Sequence, residues 1–230
     1  MGPRAIQPED LLGPLNSFER KFAPKELYIC GETDLLAHGP RVSVVGSRKA
    51  SQEGLHRTRL LCRVLVKRGV VIVSGLAEGI DRAAHETALE TGGRTVGVLG
   101  TSLERFYPAA NRDLQLRMMR EQLVVSQFEA GARTQPWHFP QRNRLMALIA
   151  DATIIVEAGE SSGTLSQGWE SLRIGRPLFL LESVATNPAL TWPREMMRYG
   201  ANVLSRANLD ELFEELPLRT NDELIDALVF

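Results

Sequence analysis

The sequence has few cysteines and lacks any long apolar run. Only two of its 230 residues are cysteines, Cys30 and Cys62, and they lie far apart in apolar surroundings. Their number and spacing predict buried thiols in a reducing compartment and exclude a disulfide framework or a zinc site. No apolar stretch approaches the roughly eighteen residues of a membrane span, and no signal-peptide pattern opens the chain. We therefore expect a cytoplasmic protein with no membrane association.

The formal net charge is also small, at -1, but the charges are unevenly distributed. The segment from Arg41 to Arg68 holds eight lysines and arginines against one acid, whereas the segment from Arg206 to Phe230 holds seven acids against two arginines. A local basic region can guide a polyanion even on a nearly neutral protein, because surface potential depends on the arrangement of charges. The alternative is that the basic residues spaced by four from Arg59 form only the solvated stripe of an amphipathic helix.

The order of patterns along the chain is strand, glycine-containing loop and helix, repeated. Short apolar runs predict strands at 42–46, 70–75, 94–100, 122–128, 152–158 and 176–182, and helical spacing predicts helices at 52–68, 84–92 and 142–150. Alternating β and α units with right-handed crossovers form a parallel sheet covered by helices on both faces. The fold class that we predict is α/β: an extended Rossmann-like, doubly wound, mostly parallel sheet in a single domain.

Two segments flank this predicted sheet domain, which we place at residues 22–205. Residues 1–21 form an N-terminal arm whose first dozen residues are expected to be loose, and a short strand within 26–31 should pack beside the sheet. Residues 206–230 form an acidic C-terminal helix and tail, in which Asn208 is a favoured N-cap residue. The tail also contains the sequence DELIDAL.

Glycine-rich loops follow four of the predicted strands. They contain Gly46, Ser47 and Arg48 after the first strand, Ser74, Gly75 and Gly79 after the second, Gly100 after the third, and Ser162, Gly163 and Thr164 after the strand at 152–158. In an open α/β sheet the ligand lies beyond the carboxyl ends of the strands, where glycines let backbone N–H groups approach a phosphate. Four such loops predict a phosphate-binding face. None is a Walker A motif or a G-x-G-x-x-G fingerprint, so ATP and NAD are not predicted and no cofactor is expected.

A second cluster, FPQRNR at residues 139–144, places an aromatic ring and two guanidinium groups at the start of a helix. An aromatic ring can stack on any nucleobase and arginines pair with phosphates, so this combination suits a single nucleic-acid strand. The alternative is that Phe139 belongs to the core and that Arg144 forms a structural salt bridge with a buried acid such as Glu157. Both interpretations of the cluster stay open at this point.

Together these motifs resemble those of the DNA-processing protein A (DprA, or Smf) family. The strings VVGSR, VSGLAEGIDRAAHETALETGGRTVGVLG, YPAANRDL, FPQRNR and VEAGESSGTL stand in the order, and at roughly the spacing, of that family, from about Phe22 to Leu216. The block SGLAxGID followed by AHxxAL is the most specific of them. The resemblance covers the family's Rossmann-like domain only.

The resemblance implies a non-enzymatic protein that binds and protects single-stranded DNA and loads the RecA recombinase onto it during natural transformation. It also implies a homodimer built on an extended Rossmann fold. At the DNA groove it places Arg48, Gly75, Gly79, Phe139, Arg142, Asn143 and Arg144, and it assigns a phosphate to Ser162, Gly163 and Thr164.

Two other functions stay open on the same fold. One is a phosphoribohydrolase of the lysine-decarboxylase-like group, whose P-G-G-x-G-T-x-x-E signature would need a glutamate where this chain has Gln167. The other is a sensor that binds a small nucleotide. The sequence shows no Ser/His/Asp or Cys/His arrangement typical of a catalytic site. His85 lies within a predicted helix, where we expect it to form a structural hydrogen bond, and Asp81 is expected to cap that helix.

Overall fold

A nine-stranded sheet, in which seven strands pair in parallel, forms the centre of the described part of the molecule. In this computed structural model, which describes residues 2–37 and 39–217, the strands are β1 Arg4–Ile6, β2 Leu27–Gly31, β3 Arg41–Gly46, β4 Val71–Ser74, β5 Thr95–Leu99, β6 Leu123–Ser126, β7 Ala152–Glu157, β8 Leu178–Leu181 and β9 Asn202–Leu204. Their order is β1-β2-β6-β5-β4-β3-β7-β8-β9. Strands β3 to β9 pair in parallel, whereas β2 pairs antiparallel with both β1 and β6.

Helices connect and flank these strands. They are α1 Pro8–Leu12, α2 Glu19–Phe22, α3 Gln52–Lys67, α4 Ile80–Glu90, α5 Arg112–Glu121, α6 His138–Ile149, α7 Thr164–Arg173, α8 Glu182–Ala185, α9 Trp192–Arg198 and α10 Leu209–Glu214, with short 3-10 helices at Thr33–Leu36 and Ala109–Asn111. Within the described part of the chain, none of them is long and apolar enough to cross a membrane.

The helices pack on both faces of the sheet. Because successive residues of a strand point to opposite faces, Ile72 and Val73 of β4 belong to two different clusters of buried side chains. Val73 shares its cluster with Leu145 of α6, and Ile72 shares the other with Leu65 of α3 and Ala84 of α4. The predicted α/β fold, a doubly wound and mostly parallel sheet, is therefore confirmed.

The strand order reverses at β3. The chain proceeds from β3 outward through β4, β5 and β6, and then returns to place β7 on the other side of β3. A buried ion pair joins the two neighbours at their amino ends, where Arg41 Nη2 lies 3.0 Å from Asp151 Oδ1. The loops that follow β3 and β7 diverge around a crevice at the opposite edge, and this is where ligands bind in open α/β sheets.

The structure corrects the expectation for the beginning of the chain. Residues 4–12 are not loose, because Arg4–Ile6 pairs with β2 and α1 follows it. The predicted strand within 26–31 is β2, which pairs with β6 on one side and with β1 on the other. Without β1, the backbone hydrogen-bonding groups on the outer side of β2 would be unpaired at the sheet edge. Both cysteines, Cys30 and Cys62, are buried as predicted, and the DELIDAL segment lies outside the described residues.

The sequence analysis predicted N-cap residues for two helices. The prediction that Asp81 caps α4 is wrong: Gly79 is the N-cap residue, and Asp81 is a buried residue of the first turn that accepts a hydrogen bond from the N–H of Ala77 at 3.4 Å. Asn208 is the N-cap residue of α10 as predicted. Its side-chain oxygen accepts the N–H of Ser205 at 2.7 Å, so it closes the turn before the helix instead of binding the helix N–H groups.

His85 has the structural role that the sequence predicted. It is fully buried in α4, and its Nδ1 lies 2.7 Å from the hydroxyl of Thr95 on β5. Burial lowers the pKa of His85 from its ordinary value near 6.5 to about 3. Between these two pH values the unfolded chain binds a proton at this side chain that the native state does not bind. Stability is therefore lost as the pH falls below about 6.5.

We predict that His85→Gln lowers the free energy of unfolding at pH 7.5 and that this loss shrinks in acid. The gap between wild type and variant should narrow by roughly 1.4 kcal/mol for each pH unit below about 6, because the variant has no imidazole to protonate on unfolding. Urea denaturation at several pH values measures the gap. His56→Gln, at an exposed position of α3, is the control and should follow the wild-type pH dependence. A gap that stays constant would contradict the assignment.

Candidate functional site

The loops after β3 and β4 are locked together by two glycines. Gly79 has φ +75°, and a Cβ atom there would lie 2.2 Å from the carbonyl oxygen of Ser47. A Cβ atom on Gly46 would lie 2.5 Å from the side chain of Ile80. The N–H of Ile80 donates to the Ser47 carbonyl at 3.2 Å. These glycines therefore act by permitting close packing of the loops, which fixes the position of the residues that follow Ser47.

A buried guanidinium group lies beneath the loop after β4. Nη1 of Arg142 donates to the carbonyl of Gly75 at 2.6 Å and to that of Val98 at 3.1 Å, and Nε donates to Asn143 Oδ1 at 3.0 Å. Arg142 is only 6% exposed. A Cβ atom on Gly75 would lie 1.6 Å from Nη1, so glycine is required there.

Charge around Arg142 is only partly balanced. Burial lowers the pKa of Arg142, while the carboxylate of Asp81 raises it and the nearby positive charge of Arg48 lowers it again. Burial raises the pKa of Asp81, and the charge of Arg142 opposes that rise. The positive charges of Arg48 and Arg142 thus act on each other, and the buried Asp81 supplies the opposing negative charge. Arg48 is exposed, so its positive charge faces solvent.

An aromatic pair stands next to this positive charge. The rings of Tyr107 and Phe139 have centroids 5.4 Å apart, and the guanidinium carbon of Arg48 lies 5.4 Å from the Phe139 centroid. Phe139 packs closely on Gly100, where a Cβ atom would lie 2.7 Å from the ring. Tyr107 is 47% exposed, which is high for so large an apolar side chain. The pair therefore offers an accessible stacking surface at the carboxyl end of β5.

Two adjoining clefts open beside these residues. The aromatic cleft, of about 430 Å³, is lined by Arg48, Gly75, Ala77, Glu78, Leu99, Gly100, Thr101, Phe106, Tyr107, Pro108, Ala109, Phe139 and Arg142. The glycine-serine cleft, of about 600 Å³, lies at the crevice between β3 and β7 and has Gly46, Ser47, Arg48, Lys49, Ala77, Phe139, Arg142, Asn143, Gly159, Ser161, Ser162, Gly163 and Thr164 among its lining residues. Arg48, Ala77, Phe139 and Arg142 line both clefts, so together they form one shared wall.

The loop after β7 forms the far side of the glycine-serine cleft. Thr164 Oγ1 donates to the carbonyl of Gly46 at 2.9 Å, and Asn143 Nδ2 donates to the carbonyl of Gly163 at 3.3 Å. The hydroxyl of Ser162 accepts the N–H of Thr164 at 3.2 Å. These bonds hold the loop between β3 and α6. The hydroxyl groups of Ser162 and Thr164 are partly engaged within it.

Most of the residues predicted from the sequence are brought to the clefts. The lining residues include Gly46, Ser47, Arg48, Gly75, Phe139, Arg142, Asn143, Ser162, Gly163 and Thr164. Gly79 lies behind them against Ser47, and Ser74 is buried with its hydroxyl donating to the Val44 carbonyl at 2.6 Å.

Arg144 does not line either cleft, and the structure corrects its expected position. Its Nε lies 3.2 Å from Glu170 Oε2, and its guanidinium carbon lies 5.1 Å from the centroid of the Phe22 ring. The alternative interpretation, that Arg144 forms a structural salt bridge, is therefore confirmed. The partner acid is Glu170 and not Glu157. Glu157 instead accepts the N–H of Ser51 at 2.9 Å. Arg144 points away because it follows Asn143 on α6 and so faces a different side of the helix.

Two of the lining residues that bear on binding, Tyr107 and Lys49, received no role in the sequence analysis. Tyr107 belongs to the string YPAANRDL, which carried the resemblance but received no role, and Lys49 directly follows the G-S-R turn. An aromatic residue in a loop beyond a predicted strand end was the available signal for Tyr107. Its partner Phe139 lies on another element, so only the folded chain brings the two rings together.

Comparison with known proteins assigns the chain to a family. The family described as DNA recombination-mediator protein A matches residues 9–217. The chain belongs to this family. Among its relatives, DNA processing protein DprA of Bacillus subtilis is 32% identical over 85% of this chain, and DprA of Streptococcus pneumoniae is 42% identical over 80% of it. The matches cover 65% and 64% of those two relatives, so the chain spans somewhat less than two thirds of their length.

Solved structures of the family share the fold. The structure of DprA from Streptococcus pneumoniae superposes with a TM-score of 0.80 at 32% identity, covering 94% of this chain and 75% of that one. A structure described as giving insights into the single-stranded DNA binding mode of DNA processing protein A from Helicobacter pylori has a TM-score of 0.78 at 26% identity, covering 94% and 97%. A molybdenum cofactor binding protein from Rippkaea orientalis, at 19% identity and a TM-score of 0.54 over 76% and 96% of the chains, shares the fold alone.

We predict that Gly75→Ala destabilises this family member, because the added methyl group would overlap the guanidinium of Arg142. The expected loss is about 1–3 kcal/mol of unfolding free energy, the range for overpacking a well-filled interior. Gly163→Ala is the matched control, since nothing lies within 4 Å of a Cβ atom there, and it should stay within about 0.5 kcal/mol of wild type. Urea denaturation compares the two variants. Equal stability of both would show that Arg142 does not pack as described.

Proposed function

We propose that the chain binds single-stranded DNA along the two clefts. The observation that supports this most is the shared wall, in which the cation of Arg48 lies 5.4 Å from the Phe139 ring and both side chains border both clefts. A protein that binds a single nucleic-acid strand needs a positive groove for the phosphate backbone and, directly beside it, aromatic surfaces for the bases. The single-stranded DNA binding described for the Helicobacter pylori relative supports the proposal independently.

In this proposal the two clefts take different parts of each nucleotide. The aromatic cleft receives a base, which stacks on Tyr107 or Phe139 whatever its identity. The glycine-serine cleft receives the phosphates, with Arg48 and Lys49 as exposed cations and with Ser162, Gly163 and Thr164 along its far side. Arg142 supplies positive charge from beneath and holds the loops in place. Arg144 contributes to the structure through Glu170 and makes no contact with DNA.

We also propose the wider role that the family description suggests, a recombination mediator. In that role the protein protects single-stranded DNA, loads RecA onto it and acts as a homodimer without a catalytic step. Residues 22–205 serve as the DNA-binding unit, between an arm at 1–21 and an acidic segment at 206–230. A phosphoribohydrolase is disfavoured because Gln167 stands where a glutamate would be needed, and its Nε2 lies 3.4 Å from the hydroxyl of buried Thr153.

We predict that Arg48→Ala weakens binding to every single-stranded sequence by a similar factor. Loss of one phosphate contact should also reduce the slope of log K against log salt by about 0.7. Fluorescence anisotropy of labelled oligonucleotides across salt concentrations measures both quantities. Arg198→Ala is the matched control, because it removes the same charge from the exposed end of α9, outside both clefts. If the two variants behave alike, the groove has been assigned to the wrong surface.

A second prediction concerns stacking. Phe139→Ala should weaken binding by about 1–3 kcal/mol, roughly 5- to 150-fold, and leave the salt slope nearly unchanged, since stacking releases no counterions. The same anisotropy titrations measure it, with a matched duplex and mononucleotides as competitors. Binding of a mononucleotide without any binding of the single strand would favour the nucleotide sensor instead and refute the proposal.

A further inference from the structure

The aromatic cleft contains an acidic side chain to which the proposed function gives no role. Glu78 is the one acid among the described residues that line this cleft, and it is exposed. None of the ion pairs between described residues includes it. In the glycine-serine cleft the acid is Asp81, which is buried and opposed by the charge of Arg142, whereas the exposed charged residues are Arg48 and Lys49. Accessible negative charge therefore borders the base cleft and not the phosphate cleft.

The loop that carries Glu78 is held in one conformation. Two positions earlier, Leu76 has φ +57°, a left-handed conformation that residues other than glycine rarely adopt. Buried Asn111 supports it, because its Nδ2 donates to the carbonyl of Leu76 at 2.9 Å and to that of Ala77 at 3.1 Å. On the other side of Glu78, Gly79 packs against the loop after β3. Such fixed, strained backbone is typical of ligand sites.

This rigidity matters for binding at the cleft. Asn111 ends the short 3-10 helix that follows the loop with Tyr107, so its two hydrogen bonds join the loop after β4 to the loop after β5. Both loops contribute lining residues to the aromatic cleft, Glu78 from the first and Tyr107 from the second. A contact between Glu78 and a base would therefore require little further ordering of the protein.

A carboxylate can distinguish the edges of the bases, because it accepts hydrogen bonds and donates none. Guanine presents two neighbouring donors on its Watson–Crick edge, N1–H and the 2-amino group, and the two oxygens of one carboxylate can accept both. Cytosine and adenine present an amino group beside an acceptor nitrogen, and thymine presents one N–H between two carbonyl oxygens. These edges are accessible in a single strand. A carboxylate beside a stacking surface thus favours guanine and disfavours thymine.

We propose that Glu78 gives the aromatic cleft a preference for guanine. The base stacks on Tyr107 or Phe139, and the carboxylate of Glu78 accepts hydrogen bonds from its N1–H and 2-amino groups. Stacking alone tolerates any base, so the preference comes from this edge contact and adds to binding that all sequences share. The inference rests on the proposed function, because it needs a strand in the clefts.

Anisotropy titrations of the full protein with three labelled strands of equal length test the proposal. The first alternates guanine and thymine, the second replaces guanine with inosine, which lacks only the 2-amino group, and the third is all thymine. Lithium buffer prevents guanine tetrads. We expect the guanine strand to bind at least about fivefold more tightly than the thymine strand, the lower end of the range for a bidentate contact to a base. The inosine strand should fall between them, and its difference from the guanine strand reports the edge contact without a change of ring size.

Glu78→Gln keeps the size of the side chain but replaces one acceptor oxygen with an amino donor. This variant should bind the guanine and inosine strands equally, and it should bind the thymine strand at least as tightly as wild type does, because a negative charge is removed. Glu78→Ala should lose the preference in the same way. Glu90→Gln is the matched control: it removes the same charge from the exposed end of α4, outside both clefts, and should keep the wild-type preference.

Three results would overturn the proposal while leaving the proposed function intact. They are equal binding of the guanine and inosine strands by wild type, a guanine preference that persists in Glu78→Gln, and a loss of affinity for all three strands alike, which would assign Glu78 a structural role. Failure of wild type to bind any single strand would instead refute the proposed function, and this inference with it.

Discussion

The buried guanidinium group of Arg142 is the interaction on which the cleft geometry depends. It binds the carbonyls of Gly75 and Val98, which end two neighbouring strands, and so ties α6 to the carboxyl edge of the sheet. A buried charge is costly unless it is hydrogen-bonded and paired. Here two carbonyls, the Asn143 amide and the nearby Asp81 carboxylate supply that compensation. Removing Arg142 would therefore disturb the loops as well as any ligand, which makes Arg48 the cleaner probe of binding.

The position of α6 in turn decides which side chains meet. Phe139, Arg142 and Asn143 lie at spacings of three and four along the helix, so they share the face that borders the clefts. The neighbouring Arg144 faces Glu170 and Phe22 and links the helix to the end of α2. Tyr107 completes the aromatic surface from the loop after β5. One wall then serves two clefts, one mainly aromatic and the other rich in glycine and serine.

Much of this arrangement could be predicted from the sequence, for identifiable reasons. The parallel strands are continuous apolar runs, and Gly69, with φ +75°, directly follows the C-cap of α3. β1 could not be predicted, because three residues carry no periodicity and form a strand only by pairing with β2. Helical spacing within FPQRNR could have separated Arg144 from its neighbours. The meeting of Tyr107 with Phe139 could not be foreseen, since it depends on the packing of separate elements.

Photochemical cross-linking tests the central claim, binding of a single strand at the shared wall, most directly. The full protein is irradiated with a single strand that carries 5-iodouracil, and the modified peptides are identified by mass spectrometry. The account predicts that the adducts fall on peptides containing Tyr107 or Phe139 and that the matched duplex gives few of them. Adducts confined to α3 or to other surfaces, with both aromatic residues unmodified, would contradict it.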